Sequence, residues 1–172
     1  MICPYDQAQC GHPGCLFVGA AIFDVECYKN YRESMVEYTA CIIKPDAFPK
    51  YAGEILSRLL GEDFNIVLAG TVNLSEADVA AVYDQHVGAD YYEKHKTFMM
   101  SGPVFAMVLE RNEAIKYLRY VMGPTKIDAR HTGELRYEFG DPENITRNVI
   151  HGSDTLVRSF YEINLIRKWL IK

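Results

Sequence analysis

No early apolar run in the chain is long enough to cross a bilayer: Leu16–Phe23 stops far short of the roughly 20 residues a spanning helix needs. No Lys or Arg precedes it, so a secretory signal fits poorly as well. Excess positive charge is also missing. With 18 Lys+Arg against 23 Asp+Glu the formal net charge is -5, which argues against a binder of nucleic-acid backbones and leaves room only for a locally basic pocket. Cysteine is confined to Cys3, Cys10, Cys15, Cys27 and Cys41, an odd number crowded into the first quarter. A disulfide framework would spread an even set through the fold, so a reducing, cytoplasmic compartment is expected. Repeats and low-complexity tracts are lacking too. With 49% hydrophobic and 24% charged residues over 172 positions, extensive disorder is excluded. A chain of this size buries roughly 70% of its unfolded surface and needs no staple.

Residues 1–37 differ from the rest. Cys, Gly and Pro are dense up to Cys15, then a short apolar run leads into the polar stretch Tyr28 to Glu37. They read as an N-terminal extension to a domain spanning 38–172. Within the extension Cys3, Cys10, His12 and Cys15 are four residues of zinc-ligating type, but three crowd together instead of forming two separated pairs. The alternative is an extension whose Leu16–Phe23 segment packs on the domain or on a neighbouring subunit.

From Tyr38 the pattern becomes regular. Tyr38 to Ile43 reads as a buried strand ended by Lys44-Pro45-Asp46, which places the lysine at a strand end. Ala52, Ile55, Leu56, Leu59 and Leu60 share one helical face, with Gly61 as the stop. A strand over Phe64 to Leu74 follows, then a helix capped by Ser75 and Asp78, and a second helix over about Asp90 to Met99. Pro103 to Leu109 predicts a strand at the centre of the sheet, Asn112 a cap for the next helix, and Gly123 its end. A short helical piece near Glu134 to Phe139, a strand at Asn148-Val149-Ile150 and a helix from Ser153 to about Asn164 complete the order. The fold class is therefore α/β (α+β): a ferredoxin-like βαββαβ sandwich, with a four-stranded antiparallel sheet and additional helices covering one face.

Chemistry concentrates in Asn148-Val149-Ile150-His151-Gly152-Ser153-Asp154. A lone His at a strand end, a Gly permitting close approach and a helix start that attracts anions can together present an imidazole to a phosphate. Neutral imidazole is a competent nucleophile toward phosphorus. Glu162, about two turns on, can accept from one ring nitrogen and leave the other free. Lys44, Arg119 and Arg136 recur at element ends, where an acidic protein handling polyphosphates needs cations gathered. Taken singly, His151 also reads as a structural histidine beside a cap, and each cation as solvated surface charge.

Taken jointly, Asn148-x-x-His151-Gly152-Ser153-Asp154, Lys44-Pro45-Asp46 and Ser101-Gly102-Pro103 at their spacing resemble a nucleoside diphosphate kinase over about Tyr38 to Leu165. The resemblance implies ping-pong transfer of a terminal phosphoryl group through a phosphohistidine at His151, with Glu162 and Ser153 orienting the ring and Tyr83 beside the transferring phosphate. It further implies that Lys44 contacts the sugar hydroxyl and the phosphate, that Arg119, Thr125 and Arg136 hold the polyphosphate, and that Asn148 binds the ribose. Tyr91 and Ile145 match the positions that sandwich the base, where stacking area gives tolerance between bases. It implies Mg²⁺ carried on the nucleotide phosphates, with no dedicated protein site, and a homo-oligomer, a hexamer in preference to a tetramer. Several positions depart from the family pattern. Ala47 stands for a common Gly, Tyr91 for Phe, His95 for an apolar residue and Ile127 for Pro, and the stretch from Arg136 to His151 is about two residues longer. Readings of other classes are a catalytically quiet nucleotide-binding scaffold, disfavoured by the complete ionisable set, and a nucleic-acid nuclease or binder, disfavoured by net charge.

Overall fold

The structure is a computed structural model that describes residues 36–171; the cysteine and histidine cluster at Cys3, Cys10, His12 and Cys15 and the Leu16–Phe23 segment lie outside the described residues. Strands β1 (Val36–Ile43), β2 (Asn65–Val72), β3 (Val104–Asn112) and β4 (Ile150–Gly152) form one sheet in the order β2-β3-β1-β4. Each neighbouring pair is antiparallel, as the ferredoxin-like plan requires. The helices are α1 (Ala52–Gly61), α2 (Glu76–Val82), α3 (Tyr92–Met99), α4 (Ala114–Met122), α5 (Leu135–Glu138) and α6 (Leu156–Leu170).

The sequence pattern places helices on one face; the structure covers both. On β1, Cys41 and Ile43 enter a core with Ile55, Leu59, Leu118 and Met122 from α1 and α4. Their alternates Ala40 and Ile42 enter a second core with Val79, Met99 and Ile166 from α2, α3 and α6. Two covered faces explain why the central strands read as continuous apolar runs, since no side of the pleat meets water. Each such buried Ile or Leu contributes about 1.5 to 3 kcal/mol.

Boundaries shift in several places. Helix α2 begins as expected: Ser75 Oγ accepts from the Asp78 amide and the Asp78 carboxylate accepts from the Ser75 amide. Asn112, expected as a cap, is instead the last residue of β3, and Glu113 makes the turn into α4 with φ 51°. The last strand is Ile150–Gly152 rather than Asn148 to Ile150, because Val149 has φ 61° and cannot extend a ladder. Helix α6 is capped by Thr155, whose hydroxyl accepts from the Arg158 amide, and runs on to Leu170. Ser153 is free of capping duty and serves elsewhere.

Pairing of β4 with β1 places the site. Cys41 faces Gly152, Ile42 faces His151 and Ile43 faces Ile150, so the histidine lies opposite the strand end that leads into Lys44. Gly152 is needed for close approach: a Cβ there would stand 2.7 Å from Leu118 Cδ2 and 2.8 Å from Met122 Sδ, both on fully buried side chains. Gly152→Ala should therefore destabilise the protein by roughly 1 to 3 kcal/mol through overpacking. A urea denaturation midpoint unchanged from the parent would contradict that packing.

Candidate active site

The backbone before His151 is a tight γ-turn. The Ile150 amide donates to the Asn148 carbonyl at 2.7 Å across Val149, a β-branched residue held at positive φ. Two bonds hold this conformation: Asp46 Oδ2 accepts from the Val149 amide at 3.1 Å, and the Lys44 amide donates to the Val149 carbonyl at 2.8 Å. The strand end that carries Lys44 and the turn that carries Asn148 are thus one unit. Lys44 Nζ donates to Asn148 Oδ1 at 2.6 Å, and Asn148 Nδ2 donates to the Ile145 carbonyl at 3.0 Å.

His151 Nε2 lies 3.1 Å from Glu162 Oε2, and Ser153 Oγ donates to the same oxygen at 2.7 Å. An ionised carboxylate only accepts, so the ring hydrogen is assigned to Nε2, which leaves the Nδ1 lone pair free. Burial raises the Glu162 carboxyl, but the bonds from His151 and Ser153 and the charge of Arg158 bring it net below the usual carboxylate range. Tyr83 meets the His151 ring edge-on with centroids 5.3 Å apart, and burial with the nearby Glu162 pushes its phenol up. The ring is held at Nε2 by a carboxylate and packed at a steep angle against an aromatic.

His151 opens on a cleft of about 470 Å³. Lys44, Arg119, Thr125 and Arg136 line it with His151, Glu162 and Asn148, and so do Tyr83, Tyr91 and Ile145. Ser153 does not line the cleft; it is buried behind it and reaches it only through Glu162. Tyr91 and Ile145 are about half exposed. The separate cations of the sequence are therefore gathered in one place.

Their electrostatics are unusual for an acidic protein. Lys44 is 4% exposed, and burial, reinforced by Arg136, pushes its amine down to about 7 despite Asp46. Arg136 donates to the Gly123 carbonyl at 2.8 Å, to Thr125 Oγ1 at 3.2 Å and to the Ile150 carbonyl at 3.0 Å, which fixes its fork at the cleft wall. Burial, then Arg119 and Arg130, lowers it to about 10. A cluster of desolvated cations is a receptor for a polyanion, whose arrival removes the cost of holding them together.

Arg158, Asp84, His86 and the bonding of Asp46 are features the sequence pattern did not single out. Arg158 lies four residues before Glu162 on α6, so helical spacing alone signals that pair. Asp84 is 74 residues from Arg158 and carries no such signal. His86 Nδ1 lies 2.7 Å from the Tyr91 hydroxyl, a bond that only the short 3₁₀ turn at Asp84–His86 creates. His95, a departure from the family pattern, stands edge-on to Tyr83 with centroids 4.3 Å apart and is driven to about 3 by burial, so it is neutral near pH 7.

The family model described as nucleoside diphosphate kinase matches residues 37–168. This chain belongs to the nucleoside diphosphate kinase family. It is 40% identical over 129 residues to a nucleoside diphosphate kinase of Syntrophotalea carbinolica, covering 74% of this chain and 93% of that one. Similarity to the enzyme of Chlamydia abortus is 37% over 130 residues, covering 75% and 91%. Among solved structures, the Aquifex aeolicus nucleoside diphosphate kinase aligns with TM-score 0.72 and 34% identity over 80% of this chain and 100% of that chain. A Halobacterium salinarum nucleoside diphosphate kinase solved with CDP gives TM-score 0.73 and 29% identity over 80% and 93%. The enzyme class follows from membership: a phosphotransferase acting on nucleotides.

The depressed Lys44 amine has a consequence for stability. An unfolded lysine keeps its proton to roughly pH 10.4, whereas the folded one releases it near 7. Between these values the unfolded chain binds more protons, so stability rises with pH across the window. Thermal melts from pH 7 to 9.5 should show the parent gaining on Lys44→Met as pH increases. Parallel curves would contradict the burial of the ammonium.

Proposed function

We propose that this nucleoside diphosphate kinase works through a phosphohistidine on His151, in a ping-pong cycle in which one cleft serves both halves. The observation that carries the reading is the ring held at Nε2 by Glu162 and opening on a cleft lined by Lys44, Arg119 and Arg136. The free Nδ1 attacks the terminal phosphorus of a nucleoside triphosphate; the Nδ1–P bond forms as the bond to the bridging oxygen breaks, and the diphosphate leaves. A second diphosphate reverses the step. Glu162 and Ser153 orient the ring, and Tyr83 packs beside the transferring group.

Transition-state charge lies on the phosphoryl oxygens, so the cations act by position and field. Arg136, pinned by its backbone acceptors, and Arg119 with Thr125 hold the polyphosphate. Lys44 and Asn148, already joined, meet the sugar hydroxyl and the phosphate. Tyr91 and Ile145 take the base between an aromatic face and an aliphatic one, which favours breadth over a base-specific code. The nucleotide in the halophilic relative, CDP, supports a nucleotide in this cleft.

Mg²⁺ fits as a passenger on the nucleotide phosphates. Among the described residues no cluster of three or more His, Cys, Asp or Glu could hold a metal ion, while several basic groups face the space for phosphate. When bound, the ion would neutralise phosphate charge, and Arg119, Thr125 and Arg136 would hold the phosphates that carry it. We also place the chain as a cytoplasmic homo-oligomer, a hexamer in preference to a tetramer, with 1–37 as an extension to the kinase domain. No helix among the described residues is long and apolar enough to cross a membrane. Light scattering measures the assembly size.

Two variants test the chemistry. Incubation with terminally labelled triphosphate should leave an acid-labile, alkali-stable adduct on the parent and none on His151→Ala; an adduct retained by the variant would overturn the assignment. Arg119 is exposed and makes no side-chain hydrogen bond among the described residues, so its removal spares the fold. Arg119→Ala should lower kcat/KM by about 2 kcal/mol, roughly 30-fold, with an unchanged melting temperature. Steady-state kinetics with several nucleotides checks this.

A further inference from the structure

The oxygen of Glu162 that faces away from His151 is also occupied. Arg158 Nη2 donates to Glu162 Oε1 at 3.2 Å and to the Val82 carbonyl at 2.6 Å, while Nη1 donates to Asp84 Oδ1 at 2.8 Å. The guanidinium is thereby tied to α6, to the last residue of α2 and to the chain just after it, and its side chain is 15% exposed. Among the described residues Arg158 is the sole donor to Oε1. A pair of this spacing on an exposed helix is weak and easily screened. Here Glu162 is 3% exposed, so water and salt screen the pair little.

We propose that Arg158 is a positioning residue for phosphoryl transfer, holding Glu162 from its far oxygen so that the His151 ring presents Nδ1 to the nucleotide. This inference rests on the reading above that His151 accepts the phosphoryl group. As Nδ1 bonds to phosphorus and the bond to the departing diphosphate oxygen breaks, the ring gains positive charge while its Nε2 proton stays in place. Two demands fall on Glu162. It must be ionised to accept from Nε2–H, and it must not be so basic that it takes the proton. A cation on the opposite oxygen meets both, because it favours the anion and draws charge away from Oε2.

Among the described residues, few groups face this carboxylate. His151 and Ser153 come from β4 and the residue after it, Arg158 from its own helix, and Tyr83 from the end of α2; Asp84 faces only the guanidinium. Of these, Arg158 is the permanent cation. Its loss leaves Oε1 buried and unpaired, and the pair formed by Glu162 and His151 then holds a proton to higher pH.

Rapid-quench measurement of phosphoenzyme formation from labelled triphosphate, as a function of pH, tests this on the full chain. Arg158→Met should slow formation about tenfold or more, keep nucleotide KM within about twofold, and move the acid limb of the rate to higher pH. Arg158→Lys should restore the limb and part of the rate, since it returns the charge without the fork. ¹⁵N spectra of the imidazoles should show His151 as the Nε2–H form in the parent and a mixture in Arg158→Met. Unchanged rate and acid limb in Arg158→Met would overturn the proposal, as would a slowed rate in both variants with the parental limb and spectrum. Absence of an adduct on parental His151 would instead overturn the parent reading.

Discussion

One buried carboxylate organises the candidate site. Glu162 accepts from His151 and Ser153 through one oxygen and from Arg158 through the other, so one stretch of chain at β4 and one turn of α6 meet on it. An anion almost wholly shut from water is tolerable only when its lone pairs are met in this way. The arrangement also needs the backbone to be in place first. The Ser153 amide donates to the Ala40 carbonyl at 3.2 Å, so the residue that steadies Glu162 is itself anchored to the central strand β1. Helix α6 then delivers Glu162 from the opposite side, packed into the second core by Ile166.

The γ-turn at Val149 supplies the other constraint. A β-branched residue at φ 61° carries backbone strain that the surroundings must outweigh. Asp46 and the Lys44 amide do so, and the turn in exchange sets Asn148 beside Lys44 while sending His151 back along β1. Lys-Pro-Asp at the end of the first strand is therefore a clamp on the strand that carries the histidine, besides being the source of a cation. A short motif and a distant one prove to be two halves of one piece of backbone.

The sheet, its order of elements and most of the cleft are legible in the sequence because they depend on periodicity and on residue types that fold locally. The α4 face at Ile115, Leu118 and Met122 and the Ser75 cap can be read directly, and the His motif with its company of cations points to one family. What escapes depends on contacts remote in sequence or on backbone conformation. The second covered face hides because a strand buried on both sides gives an apolar run without alternation, which does not say how many layers lie over it. Asn112 and Ser153 look like caps, but a polar residue before an apolar run is a cap only if the backbone turns there; one continues β3 and the other turns inward to Glu162. Arg158 is readable in principle from its i, i+4 relation to Glu162, but its tie to Asp84 is not.

The cations show why net charge misleads as a guide to a site. A chain with net charge -5 nevertheless buries Lys44 and Arg136 nearly completely and sets Arg119 close enough to lower Arg136 further. A solvated cation must shed water when a phosphate arrives, whereas the Arg136 fork has already lost it during folding, so in the proposed cycle its field needs no reorganisation at the moment of transfer. The acidic balance of the whole chain acts in the opposite sense, repelling extended polyanions whose affinity rests on many weak contacts. A small polyphosphate that fits inside the cleft escapes that repulsion. In the proposed reading the base end follows the same logic in reverse, since the half-exposed Tyr91 and Ile145 would provide contact area where no charge is gathered. In the proposed cycle recognition is thus weighted toward the phosphates, the part of the ligand common to every nucleoside triphosphate, and the base is left to surfaces that distinguish little among its forms.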